Sequence, residues 1–96
     1  MDNFFEIDFS DLIAAEIKKV IRAASAKGRR EEIKQFLTTI DHRLRTAPLD
    51  FGELVQRSKH TGLLVQVASV YPVTLRFAIH EEKRVVIILK VLLMFS

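Results

Sequence analysis

The chain has 96 residues, of which 49% are apolar and 28% charged, with a formal net charge of +3 and no cysteine. That length leaves room for one hydrophobic core, so residues 1–96 read as a single domain, and the apolar share fits a globular chain rather than a disordered one. Without cysteine, disulfides, thiolate metal sites and a cysteine nucleophile are all excluded.

The first residues, MDNFFEIDFSD, are acidic and show neither the basic n-region nor the apolar h-region of a signal peptide. The longest apolar run, Val85 to Phe95, is interrupted by Lys90 and is too short to span a bilayer as a helix. The expectation is a cytoplasmic protein with no membrane association. Charge is unevenly spread. Residues 1–16 carry five acids and no Lys or Arg, whereas residues 18–34 carry seven bases against Glu31 and Glu32. Such a basic run can attract phosphates, but it is also what the solvated surface of a helix looks like.

In chain order, Phe5, Ile7 and Phe9 alternate with Glu6 and Asp8, the period of a half-buried strand. Ser10 offers an N-cap oxygen and Asp11 complements the helix dipole. Ile13, Ile17, Val20, Ile21 and Ala24 then recur at helical spacing. Gly28 is suited to close that helix, after which Ile33, Phe36, Leu37, Ile40 and Leu44 mark a second. So short a connection predicts an antiparallel helical hairpin with one apolar stripe per helix.

Pro48 ends the second helix near Thr46, because the residue before a proline is pushed out of the helical region. Gly52 allows a further turn, and Leu49 and Phe51 read as anchors tucked back against the core. Beyond this point the period changes from 3.6 to 2. Leu54–Lys59, Leu63–Val70, Val73–His80 and Val85–Leu92 read as strands, joined by KHTG, YP and HEEKR. Short joints favour an antiparallel meander, and the last strand, apolar on both faces apart from Lys90, belongs in the middle of the sheet. The predicted class is α+β in the order β-α-α-β-β-β-β, a helical hairpin packed on one face of a mainly antiparallel sheet.

Set in this order of elements, the words RLRTAPLDFGE, TGLLVQV and LRFAIHEEKRVVIILKV resemble the RelE/ParE toxin superfamily, over a stretch running from Phe5 to Val91. The resemblance implies a toxin-like component of a type II toxin–antitoxin system. Relatives of the RelE kind cleave mRNA at the ribosome, using sheet Arg and Lys residues on the phosphate and often a tyrosine near the C terminus. Relatives of the ParE kind act on a DNA-associated enzyme, gyrase. Both are neutralised by a cognate antitoxin. The chain departs from the RNA-cleaving pattern in several places. Val65, Gln66 and Val67 stand where arginines are usual, Thr74 takes the place of a later arginine, Phe77 that of a tyrosine, and the end VLLMFS lacks the basic tail. A phenylalanine cannot supply a proton. The alternative is therefore a catalytically degenerate protein-binding module of the same fold, in the form of a homodimer.

The candidate residues follow. Arg76 lies mid-strand opposite the Val73, Leu75, Phe77 and Ile79 face, where it can hold a phosphate bidentately and meet Gln66 or Lys90, or stand as a solvated arginine. Arg57 and Lys59 share a strand face in this reading, for nucleic-acid contact or for edge protection by charge. Lys90 completes the nucleic-acid-binding set. His80 ends the Arg76 face and is the remaining proton carrier, so the catalytic candidates are His80 and Arg76. Tyr71, in a turn before Pro72, is poorly placed to replace the phenol. His42, His60 and His80 lack metal-like spacing, and no Gly-rich phosphate loop or Ser-His-Asp order is present, so neither metal nor cofactor is expected. Val91, Leu92, Leu93, Met94 and Phe95 form an apolar end that either completes the last strand or docks an antitoxin segment or a second copy.

Overall fold

The computed structural model describes residues 4–94. Its elements are β1 (Glu6–Asp8), α1 (Asp11–Ala26), α2 (Arg30–Thr46), a short 3-10 turn (Pro48–Asp50), β2 (Glu53–Arg57), β3 (Leu63–Val70), β4 (Val73–His80) and β5 (Val85–Leu93). The sheet order is β1-β5-β4-β3-β2. β2 to β5 form an antiparallel meander, while β1 runs parallel to β5, so the sheet is mixed. β5 is interior as expected, although β1 covers only Val85 to Ile87 of it.

Local chemistry accounts for the helix ends. The Ser10 hydroxyl accepts a hydrogen bond from the Ile13 N–H at 3.2 Å, and Asp11 sits in the first turn of α1. Replacing Ser10 with alanine should cost about 0.5–2 kcal/mol, read as a lower urea midpoint with an unchanged slope. At the end of α2, Ala47 precedes Pro48 and leaves the helical region at φ −149°. The Ala47 N–H still donates to the Arg43 carbonyl, at 2.9 Å.

Both helices lie on one face of the sheet. Ile13, Val20 and Ala24 of α1 and Ile33, Ile40 and Leu44 of α2 are buried against Val73, Leu75, Phe77 and Ile79 of β4 and Val86, Ile88 and Val91 of β5. Phe51 stacks on Phe77 with ring centroids 5.9 Å apart. Leu49, by contrast, points outward, so only one of the two expected anchors faces the core. Gln66 is the buried polar side chain of this face. Its amide donates to the carbonyls of Pro48 at 3.1 Å and Phe51 at 2.9 Å, tying the connection after α2 to β3.

Two irregularities set which residues share a face. In β2 the register slips between Leu54 and Gln56, and in β5 Leu89 is the extra residue opposite Arg76 and Phe77. A one-residue bulge inverts the alternation beyond it. No helix among the described residues is long and apolar enough to cross a membrane.

Candidate docking face of the sheet

The helices leave the other face of the sheet uncovered. Strand register orders that face into cross-strand rows. Gln56, Val65, Ala78, Ile87 and Asp8 form one row, from β2 to β1. Next to it on one side run Leu63, His80, Val85 and Glu6, and on the other Glu53, Val67, Arg76 and Lys90. Ala78 is only 2% exposed although no helix covers it, because Val65 and Ile87 flank it on both sides. Leu63, Val65, Val67, Val85 and Ile87 are half-buried. The face is thus an apolar strip with acids at the β1 edge, and the row beside it carries Glu53, Arg76 and Lys90.

The sequence candidates do not converge. Arg76 is exposed on this face, opposite Val67 and Lys90. Gln66 is not its neighbour, because it pairs with Phe77 and turns into the core. Arg57 pairs with Leu64, a core residue, so the β2 bulge places it on the helix side, away from Arg76. Lys59 lies beyond the end of β2 in the Ser58–Gly62 turn, where the Gly62 N–H donates to the Ser58 carbonyl at 3.1 Å. It therefore does not share a strand face with Arg57. Lys90 sits beside Arg76 along the backbone, but its ammonium is drawn to Glu16 of α1, 3.2 Å away. Among the described residues no carboxylate lies within ion-pair distance of Arg76.

His80 shares the face with Arg76, four residues further along β4, about 13 Å at roughly 3.3 Å per residue. Its Nδ1 accepts from the Lys83 N–H at 3.3 Å, which leaves the hydrogen on Nε2 in the neutral ring and holds the imidazole against the β4–β5 turn. A phosphate gripped by Arg76 is out of hydrogen-bond reach of a ring held there. His60 comes close instead, because the β2–β3 and β4–β5 turns of a meander fall at the same end. His60 and His80 border one hollow with Glu81 and Glu82. Among the described residues no group of His, Asp and Glu is arranged to hold a metal.

No protein-family model, curated protein or solved structure matches this chain. The site therefore rests on its own geometry. Of the apolar end, Val91 is buried and Leu93 packs against the core, while Leu92 and Met94 are exposed. Phe95 lies outside the described residues. The apolar end is split between core and surface.

The residues that the sequence reading passed over are Val65, Ala78 and Ile87. In the sequence Val65 stands out only as a departure from an arginine pattern. The available signal was that β3 and β5 carry apolar residues at both parities, which leaves an apolar strip on the second face once the helices have covered the first.

Proposed function

We propose that this chain is a toxin-like component of a type II toxin–antitoxin system, built on a RelE/ParE-like domain, that docks the open face of its sheet on a protein. The resemblance implies a DNA-associated enzyme such as gyrase as the class of target. The observation that carries this reading is the position of Arg76. It is an unpaired arginine at the margin of the Val65–Ala78–Ile87 strip, on a face that no element among the described residues covers. Arginine beside a desolvated apolar patch is a common anchor of protein interfaces. RNA cleavage is less well supported, since Arg57, Lys59 and Lys90 point elsewhere and His80 stands apart from Arg76. Stabilising developing phosphate charge needs several converging donors.

A second reading has its own support. Glu6, Asp8 and Glu53 rim the same face as Arg76, so the face is complementary in charge to itself. That favours the catalytically degenerate module, pairing as a homodimer, and sedimentation at micromolar concentration separates monomer from dimer.

The docking reading is tested by tightly induced expression in bacteria without an antitoxin, at matched soluble levels. Arg76→Glu alone should relieve growth arrest, and the Arg57→Ala/Lys59→Ala pair should retain it. The opposite order would move the active surface to the β2 side and sink the proposal.

A further inference from the structure

Between the helical hairpin and the sheet lies a cavity of about 150 Å³. Its floor is Val73, Leu75 and Val91 of the sheet, all buried, and its walls are Ile17 of α1 and Ile40 of α2. Phe9 and Asp41 also border it, and both are exposed, so they form its lip. The Asp41 carboxylate is held there by the Arg45 Nε–H, which donates to its two oxygens at 3.2 and 3.1 Å. Well-packed domains contain few voids larger than a water molecule. The pocket is open to solvent at its lip, but its aliphatic walls offer water no partners, and an enclosed apolar cavity of about this size takes up benzene or xenon.

We propose that this cavity is a binding site for a compact, neutral, apolar molecule of single-ring aromatic size. Size and lining set the class. Three or four fused rings do not fit, and a polar guest loses hydrogen bonds that the walls cannot replace. An anion is excluded by desolvation, because the aliphatic walls cannot replace its hydration, and the paired Asp41 and Arg45 at the lip leave the mouth close to neutral. The site is on the helix side of the sheet and does not depend on the docking reading of the open face.

The test is a titration of the whole chain, carrying ¹³C-labelled Ile, Leu and Val methyl groups, with benzene and separately with benzoate. Benzene should shift the methyl signals of Ile40, Val73 and Val91 saturably, raise the melting temperature, and leave Leu64 of β3 unmoved. Benzoate at the same concentration should do neither. Ile17→Phe fills the cavity and should weaken benzene binding at least tenfold while the fold is kept. Val91→Ile, a smaller filling, serves if the larger side chain prevents folding and should weaken it about two- to fivefold. Unmoved methyl signals at benzene saturation, shifts spread evenly over all methyl groups, or equal binding by the filled variants would overturn the assignment.

Discussion

Gly52→Ala is expected to destabilise the domain by at least about 3 kcal/mol, a large part of the roughly 5–15 kcal/mol that a chain of this size has in total. Two effects combine. Gly52 sits at φ +89°, where an L side chain is strained by about 1–2 kcal/mol. It also crosses close over β3 as the chain enters β2, so an added Cβ would meet the Val67 carbonyl oxygen, with the Val67 carbonyl carbon at 2.8 Å and the Ala68 Cα at 2.9 Å. These are backbone atoms of an interior strand and cannot yield without disturbing the sheet. Gly62→Ala is the matched control. Gly62 has a similar positive φ of +72°, but a Cβ there meets nothing within 4 Å, so only the backbone cost of about 1–2 kcal/mol remains. Urea melts of the two variants separate strain from collision. Equal losses would mean that the β2–β3 approach is looser than described.

Gln66→Met should cost about 2–4 kcal/mol despite its similar volume. The substitution removes both hydrogen bonds from the side-chain amide to the Pro48 and Phe51 carbonyls, at a site only 4% exposed. Each such bond contributes about 0.5–1.5 kcal/mol net, and a buried carbonyl deprived of a partner loses a further 1–3 kcal/mol or so. The loss should be local as well as global. Hydrogen exchange should speed up first in the Pro48–Phe51 connection, because that segment is tied to β3 by this amide, and Phe51 in turn stacks on Phe77. Gln56→Met, on exposed β2, is the control and should stay within about 0.5 kcal/mol of the parent. A Gln66 variant as stable as its Gln56 counterpart would show that the tie carries no energy.

Much of the fold was legible in the sequence because it rests on periodic and local signals. The stripes of α1 and α2, the Ser10 cap, the stop before Pro48 and the strands after Gly52 all appear where the pattern placed them, give or take two residues. Convergence of side chains was not legible, for physical reasons that can be named. The bulge in β2 re-phases Arg57 onto the face of Leu64, and the bulge at Leu89 sets Lys90 beside Arg76 while keeping Val91 in the core. Period-2 reading assumes unbroken alternation, and one extra residue inverts it. The pairing of Lys90 with Glu16 joins residues 74 positions apart and leaves no local trace. The parallel addition of β1 to β5 is likewise a tertiary choice, set by where the helical hairpin returns the chain.

The proposed function stands on the open face of the sheet, and Ile87→Asp probes it most directly. Ile87 lies beside Ala78 in the middle of that face, half-buried and remote from the helices, so a charge there spoils docking with less harm to the core than a buried position would suffer. The measurement is bacterial growth after induction of parent and variant at matched soluble levels, with the length of cellular mRNA followed in the same cultures. The account predicts arrest by the parent with mRNA intact, and its relief by Ile87→Asp. Cleaved mRNA, arrest undiminished by Ile87→Asp, or no arrest by the parent would contradict it.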